Sequence, residues 1–445
     1  MPVSIEELKR KVAAQREAIP ALYGDVDFAI KPERFVDDLE IEASGHDPFR
    51  SRRAEILAQT DKVEMVRAYT MLGDTVADAY AALMPKYGFR GLISMLTLAC
   101  DEGIKAVTDA PPELAAFIGA MEQTPDWLDM GLVNEGARLE RNGTANYAPF
   151  AIRGAFIATF MNKYAALPMA LTGTLSNETS AKRVKETASF FATSVLPGAL
   201  ERRGPGFRAA AMVRLMHSMV RFNALRRSGN WDVSTFGIPI PQVDQMPAGL
   251  IPIFLMSFKI LAEGRTEFTP AERARVELAR YRCYLLGLPE DLLADTPQGI
   301  VDIMLVRDQT LRKGYDDATC GVLLRATLEA YLPNGEGPGA RLYNRFEKGF
   351  SKVFFVLAFL RGDRAKAAEM GVRLSALDYA CFAACSLLVQ LRMKAYDLAD
   401  KIPGLREAAD RRLVAKIRRL LDGYGHAEFT TDAAKYRPAV VAKAA

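Results

Sequence analysis

Histidine and tryptophan are scarce in this chain of 445 residues, which contains three histidines and two tryptophans. The zinc-binding pattern HExxH does not occur. No GxGxxG follows a predicted strand, no GxxxxGK[ST] phosphate loop is present, and the GxSxG turn of serine hydrolases is missing. The motifs therefore give no support to a zinc peptidase, a nucleotide-binding enzyme or a serine hydrolase.

Long runs of one charge and long apolar runs are also missing. The net charge is +4, and no basic run is interleaved with aromatic residues, so nucleic acid is not an expected partner. The N-terminus mixes acids and bases and predicts no secretory or twin-arginine signal. The longest apolar stretch, residues 248–262, contains Pro252 and Lys259 and is too short to span a bilayer. It predicts a buried core helix, or alternatively an apolar surface or substrate-facing helix, and no transmembrane segment is expected.

Cysteine is present in an odd number and at wide spacing. Two of the five cysteines, Cys381 and Cys385, are four residues apart on a predicted apolar helix, without histidines or carboxylates at ligand spacing. This pattern favours small core residues over a metal site. We therefore expect reduced thiols and a cytoplasmic protein.

The hydrophobic periodicity is helical almost everywhere, so the sequence predicts an all-α fold, a single large multi-helix domain. The organisation we expect is an N-terminal helical arm over 1–75, a core over 76–265, and a C-terminal helical region over 266–445 packed on that core. Around the centre of the chain the pattern predicts the following: a helix over 147–175 kinked near Pro168, helices over 178–196 and 208–228, a loop over 229–247, and a short strand near 236–240.

One histidine stands in an apolar stretch, MVRLMHSMVRF, residues 212–222. A neutral imidazole among Val, Leu, Met and Phe suits axial ligation of a haem iron, although a core or surface histidine with ordinary partners is the alternative. Arginines are natural counter-ions for the two haem propionates. The candidates on this helix or its preceding loop are Arg202, Arg203, Arg214 and Arg221. The other histidines, His46 and His426, stand in polar glycine-containing contexts and are predicted to be surface residues.

A second helix contributes candidates. Arg183 and Thr187 are four residues apart and share a helix face. Thr187 precedes Pro197 by ten residues, and His217 follows Phe207 by ten residues. Each therefore lies roughly 15 Å from the connecting loop. If the two helices run antiparallel, the threonine and the histidine are at the same depth.

The segment from about residue 76 to 263 resembles the latex clearing protein and MpaB-type oxygenase family, a group of all-α b-type haem proteins. Four pieces carry the resemblance in order and spacing. They are the helix VRLMHSMVR, the pair Arg183-x-x-x-Thr187 thirty residues before His217, the segment TPDWLDMGLVNEGARLERNG, and GIPIPQ followed by an apolar helix.

The resemblance implies a role for each matched position. His217 would be the proximal ligand of haem b, Arg183 and Thr187 would lie near the haem or the bound O2, and Arg214 would support the haem environment. Latex-cleaving members place a lysine just before the threonine, whereas this chain has Glu186 there. A desolvated glutamate is suited to act as the base that removes an allylic proton, and the alternative is that Glu186 faces solvent.

The function implied is that of a haem b-dependent oxygenase. It would use O2 to cleave a C=C bond of an apolar isoprenoid or unsaturated lipid and give two carbonyl products. Polymeric rubber is a less favoured substrate, because no export signal is predicted. A non-catalytic haem-binding or lipid-binding protein and an all-α interaction protein without cofactor are the alternatives. We expect a monomer or a small homo-oligomer.

Overall fold

The structure is a computed structural model, and it describes residues 3–45, 47–171, 177–227, 229 and 231–425. The predictions for His46 and His426 lie outside the described residues. Within those ranges the regular secondary structure is helical, with two isolated bridges, Phe35–Leu311 and Ala43–Arg312, and no strand. The predicted all-α fold class is confirmed.

The helices follow one another with short connections. Those before residue 200 are α1 Ile5–Ala18, α2 Pro20–Tyr23, α3 Asp47–Arg50, α4 Arg53–Leu57, α5 Thr60–Thr70, α6 Thr75–Ala81, α7 Met84–Asp101, α8 Pro112–Glu122, α9 Met130–Asn146, α10 Ala148–Ala158, α11 Lys163–Leu171 and α12 Asn177–Ser194. Those after it are α13 Pro205–Arg226, α14 Val233–Phe236, α15 Gln242–Ala262, α16 Pro270–Leu285, α17 Pro297–Thr310, α18 Val322–Glu329, α19 Pro338–Phe359, α20 Arg364–Glu369, α21 Ala376–Asp400 and α22 Leu405–Tyr424. Short 3₁₀ turns cover Ile104–Ala106 and Glu290–Leu292, and a π-helical turn covers Asp317–Gly321.

The chain divides into two compact units, each made of two chain segments. Unit 1 comprises residues 1–136 and 200–314, and unit 2 comprises residues 137–199 and 315–445. Helix α13, which carries His217, belongs to unit 1, whereas α12, which carries Arg183 and Thr187, belongs to unit 2. The equal depth of Thr187 and His217 stays a prediction, as does the division into 1–75, 76–265 and 266–445.

A fully buried charge pair lies in the interior of unit 2. Arg153 of α10 and Glu347 of α19 are both fully buried, with Arg153 Nη2 2.8 Å from Glu347 Oε2. Arg153 Nη1 also donates to the carbonyl oxygens of Thr327, Leu328 and Ala330, at 2.7, 3.0 and 2.8 Å. These carbonyls lie at the C-terminal end of α18, where no further helical turn supplies an amide to donate to them. The guanidinium therefore joins three helices of the unit.

The break in the predicted helix over 147–175 lies earlier than predicted. Helix α10 ends at Ala158 and α11 begins at Lys163, while Pro168 lies inside α11. Asn162 Oδ1 accepts a hydrogen bond from the Tyr164 amide at 2.9 Å. A side-chain oxygen that satisfies a first-turn amide favours a new helix start, so the asparagine marks the break.

The predicted loop over 229–247 is partly helical, and the strand near 236–240 was wrong. Gly237 and Ile240 have φ angles of 67° and 47°, which are incompatible with a strand. Helix α15 begins at Gln242, directly after Pro241, and continues through Pro247. Its buried apolar residues include Val243 and Met246. Their burial outweighs the loss of a backbone hydrogen bond at the proline.

In the part of the chain that the structure describes, two helices are long and apolar enough to cross a membrane by length and composition alone. They are α15 and α21, and their most apolar windows are 39% and 17% buried. Helix α15 extends beyond the predicted apolar stretch of residues 248–262 at its N-terminal end. Helix α21 exposes Leu387, Leu391 and Leu398. A buried core helix passes the same test, so the expected absence of a transmembrane segment stays a prediction.

The five cysteines are free thiols in the interior. Burial raises the pKa of Cys100 and of Cys283 to about 12. Both thiols are therefore protonated and unreactive at neutral pH. Among the described residues no group of three or more His, Cys, Asp or Glu side chains is placed to hold a metal ion.

Candidate functional site

Helix α13 presents its histidine on a half-buried apolar stripe. The helix begins at Pro205, which is favoured at the first helical position because its ring fixes φ. Ala209, Val213, Met216 and His217 recur at spacings of three and four residues, and all four are half-buried. The other faces of the helix are buried in unit 1. The imidazole therefore lies among apolar side chains, as the sequence predicted.

The imidazole has a hydrogen-bond partner that the sequence did not reveal. His217 Nδ1 lies 3.1 Å from Gln245 Oε1 on α15. Gln245 Nε2 donates to Gln242 Oε1 at 3.0 Å, and Gln242 Nε2 donates to the carbonyl oxygen of Gly73 at 2.9 Å. Three side chains thus form one continuous hydrogen-bond chain within unit 1.

Arg214, a predicted haem counter-ion, pairs with a carboxylate of α6. Its Nη2 donates to Asp74 Oδ1 at 2.9 Å, and its Nε contacts Asp74 Oδ2. Asp74 also caps α6 by accepting from the Ala77 amide at 3.2 Å. A Cβ on Gly287, where φ is +87°, would lie 2.6 Å from both Arg214 Nε and Asp74 Oδ2. The glycine therefore leaves room for this ion pair.

Arg221 forms a second buried pair one α6 turn further on. Its Nε donates to Asp78 Oδ1 at 2.8 Å, and both side chains are fully buried. Tyr23 donates its hydroxyl to Asp78 Oδ2 at 2.6 Å. Burial raises the pKa of Asp78, against the opposing effect of Arg221. Burial, reinforced by Asp78, raises the pKa of Tyr23 well above its usual value, so the phenol stays protonated and remains a donor.

The two arginines of the loop before α13, Arg202 and Arg203, differ in their contacts and exposure. Arg202 contacts Glu122 and donates to the carbonyl oxygens of Cys100 and Ala99 at 2.9 and 3.2 Å. Arg203 is exposed. Arg202, Arg214 and Arg221 are therefore engaged by carboxylates of the protein itself. The assignment of the four arginines as propionate counter-ions stays a prediction.

The candidates on α12 lie on one face of their helix. Arg183, Glu186, Thr187 and Phe191 are all half-buried and recur at helical spacing. The side chain of Glu186 is 14% exposed, whereas that of Lys182, one turn earlier, is 50% exposed. Arg183 Nη1 lies 3.4 Å from the sulfur of Met169 on α11. The face that the sequence predicted is therefore formed by charged and hydroxyl groups with apolar neighbours.

Glu186 is withdrawn from solvent, which disfavours the alternative that it is a solvated surface residue. Burial raises its pKa, and Arg183 and Lys182 oppose that shift. Lys182 Nζ lies 3.9 Å from Glu186 Oε1. This oxygen is buried and accepts no hydrogen bond from any described residue. A carboxylate in this state is a stronger base than one in water.

Four polar residues around His217 were missed at the sequence level. Asp74 and Asp78 are four residues apart in GDTVAD, and Gln242 and Gln245 are three residues apart in an apolar helix. The seven-residue spacing of Arg214 and Arg221 could have suggested two carboxylates at helical spacing elsewhere. Nothing in the sequence, however, indicates which carboxylates or amides these are.

The chain is similar to known proteins in part of its sequence and in its fold. Residues 145–334 match the family described as "ER-bound oxygenase mpaB/B'/Rubber oxygenase, catalytic domain". No curated protein matches. A solved structure, "Structure of Latex Clearing Protein LCP in the closed state", is 15% identical, with a TM-score of 0.53 over 79% of this chain and 91% of that chain. At that identity the likeness shows the fold alone.

The matched residues begin later than the predicted span of 76–263 and extend beyond it. The segment TPDWLDMGLVNEGARLERNG therefore lies before the match, whereas Arg183, Thr187 and His217 lie inside it. The resemblance noted in the sequence is confirmed by this match: residues 145–334 are similar to the catalytic domain of the mpaB and rubber oxygenase family.

Proposed function

We propose that this oxygenase is haem b-dependent and cleaves a C=C bond of an apolar isoprenoid or unsaturated lipid with O2. The two atoms of O2 end in the two carbonyl products, so the reaction needs no further oxidant. The proposal rests on the family match and on one structural observation, the imidazole of His217 on an apolar stripe with its Nδ1 hydrogen-bonded to Gln245 Oε1.

The residues around His217 fit a haem ligand. A haem needs one strong nitrogen donor from the protein and apolar flanks for the macrocycle. The hydrogen bond to Gln245 Oε1 occupies Nδ1, so Nε2 is the nitrogen that would coordinate. Val213 and Met216, on the same stripe, would supply the apolar flanks. When bound, the haem supplies the iron at which O2 is activated.

Three side chains of α12, those of Arg183, Glu186 and Thr187, would contact O2 or the alkene. The Arg183 guanidinium and the Thr187 hydroxyl would donate hydrogen bonds to the O2 co-substrate and so orient it. Glu186 Oε1 would accept an allylic proton of the alkene, because its burial makes the carboxylate a better base, and would return that proton as the two carbonyl products form. The apolar substrate would gain free energy by leaving water for the apolar residues beside these groups.

Two measurements on one preparation test the proposal. The optical spectrum of the purified chain should show a Soret band, and O2 should be consumed with a panel of terpenoids and unsaturated fatty acids, with carbonyl cleavage products found by mass spectrometry. His46→Ala and His426→Ala serve as controls and should keep the spectrum. A chain without a Soret band after haem reconstitution contradicts the proposal and favours a cofactor-free interaction protein.

The second candidate is a haem-binding or lipid-binding protein without catalysis. A Soret band with no O2 consumption on any substrate would favour it. Three of the four candidate arginines are engaged by internal carboxylates, which leaves fewer guanidinium groups for haem propionates and favours a lipid ligand within this second candidate.

A further inference from the structure

We infer that Gln245 is a positioning residue that selects the tautomer of His217, with the direction of the hydrogen-bond chain set by the carbonyl group of Gly73. The inference rests on the proposed function in one respect, since the selected nitrogen is the one that would ligate haem. The tautomer itself is a property of the protein chain.

The direction of the chain follows from its far end. A backbone carbonyl can only accept, so the amide nitrogen of Gln242 must face Gly73. The oxygen of Gln242 then faces Gln245 and accepts from its amide nitrogen. The oxygen of Gln245 is left facing His217. An amide oxygen has no hydrogen to give, so Nδ1 must carry a proton, and in the neutral imidazole Nε2 then carries the lone pair.

The far end of the chain is fixed by further contacts. The amide of Gly73 donates to Gln15 Oε1 at 2.8 Å, and Gln15 Nε2 donates to the carbonyl oxygen of Met71 at 2.9 Å. The amide of Gln242 donates to the carbonyl oxygen of Leu72 at 3.2 Å. The backbone of residues 71–73 is therefore held from α1 and from α15 together.

The burial of the two glutamine amides strengthens the preference for one tautomer of His217. Gln242 is 2% exposed and Gln245 is 6% exposed, so solvent has little access to either amide. Reversing one amide would place two oxygens or two NH2 groups against each other, and each mismatch leaves a buried polar group without a partner. One such hydrogen bond corresponds to a preference of roughly tenfold for one tautomer.

The tautomer decides which nitrogen can bind a metal. The hydrogen bond that one ring nitrogen makes fixes the other as the ligand and orients the ring. With Nδ1–H donating its hydrogen bond to Gln245 Oε1, the ring presents Nε2, the nitrogen further from the helix backbone. The opposite tautomer would have to exchange its proton before Nε2 could coordinate.

The test is direct because the chain has three histidines. The full chain without haem is labelled with ¹⁵N-histidine, and a two-bond ¹H–¹⁵N correlation spectrum reports the protonated nitrogen of each ring. The His217 signals are those missing in His217→Ala. We expect Nδ1–H in the wild type and a shift of roughly tenfold towards Nε2–H in Gln245→Leu.

Three further variants separate positioning from general damage. Gln245→Glu keeps an acceptor and should keep the Nδ1–H tautomer. Gln242→Leu should weaken the preference without abolishing it, because it frees Gln245 to turn. Gln309→Met is the matched control, since Gln309 is a buried glutamine of the same unit whose amide has no hydrogen-bond partner among the described residues. It should leave the tautomer unchanged.

A wild-type His217 protonated at Nε2, or an unchanged tautomer in Gln245→Leu, overturns the inference. If a variant does not fold without haem, the resonance Raman frequency of the iron–histidine stretch in the haem-loaded ferrous protein replaces the correlation spectrum. It should fall in Gln245→Leu and not in Gln309→Met, and equal frequencies overturn the inference. Failure of the wild type to bind haem, with the Nδ1–H tautomer observed, refutes the proposed function and leaves the positioning role intact.

Discussion

Replacing Arg221 by methionine tests whether α13 is held in unit 1 by its buried charges. The substitution removes hydrogen bonds to Asp78 Oδ1 at 2.8 Å, to the Ile240 carbonyl oxygen at 2.6 Å and to Ser218 Oγ at 3.1 Å. Methionine fills most of the volume, so the main loss is electrostatic. Asp78 would keep the hydroxyls of Tyr23 and Ser218 as neutral donors.

The magnitude follows from full burial of both partners. Removing one member of a buried ion pair destabilises a protein by about 3–5 kcal/mol, because the other charge is left without its counter-ion. Unit 1 has roughly 250 residues. For a unit of that size, 1 kcal/mol corresponds to about 2–4 °C in Tm, so we expect a decrease of about 10 °C.

Calorimetry and urea unfolding measure the effect, with Arg208→Met as the matched control on the same helix. Arg208 and Asp101 form an exposed pair, with 45% and 41% of their side chains accessible, so the control should cost less than about 1 kcal/mol. The double variant Arg221→Met with Asp78→Leu should recover at least half of the loss, because neither charge of this pair is left buried without its counter-ion. Equal Tm values for Arg221→Met and Arg208→Met would refute the reasoning.

Three other variants address the proposed chemistry. His217→Ala should lose haem or hold it weakly, because its imidazole is the proposed axial ligand, and an unchanged Soret band would remove that assignment. Arg183→Ala and Thr187→Ala should retain haem and lose about 10²–10³ in turnover, and wild-type rates would mean that their shared face only packs. Glu186→Gln should retain haem and turn over slowly. Because burial raises the pKa of Glu186, the wild-type rate should fall as the pH falls through a value above the ordinary 4.5. The glutamine variant should lack this decrease of the rate at low pH. An identical pH profile in the two proteins would exclude the catalytic role.

Much of the fold followed from periodicity alone. The predicted helices over 178–196 and 208–228 correspond to α12 and α13, with ends that differ by at most three residues. Helical periodicity spans many residues, so it survives local exceptions. The predicted helix boundaries were wrong where they depended on a proline. Pro168 and Pro247 both read as breaks, yet each lies inside a helix whose apolar side chains are buried.

The candidate site could be predicted only where a reactive residue is recognisable from its neighbours in the sequence. A lone histidine in an apolar stretch is visible, and so is a glutamate beside a threonine. The glutamine partner of His217 and the carboxylate partners of Arg214 and Arg221 are not visible, because each lies more than 25 residues away along the chain. Which carboxylate pairs with which arginine is fixed by the packing of α6 on α13, and single-sequence reasoning has no access to that packing.

The interleaving of the two units constrains the order in which the protein can be made. Unit 1 cannot complete its interior until residue 314 has been synthesised, although its first segment ends at residue 136. Unit 2 begins before unit 1 is finished, and α10 and α12 must wait for α19 and α22, against which they pack. Nascent apolar helices therefore stay without partners for much of translation. A fragment cut at residues 145–334 would contain α10 and α12 without those partners, so an expression fragment of the family-matched region alone should aggregate.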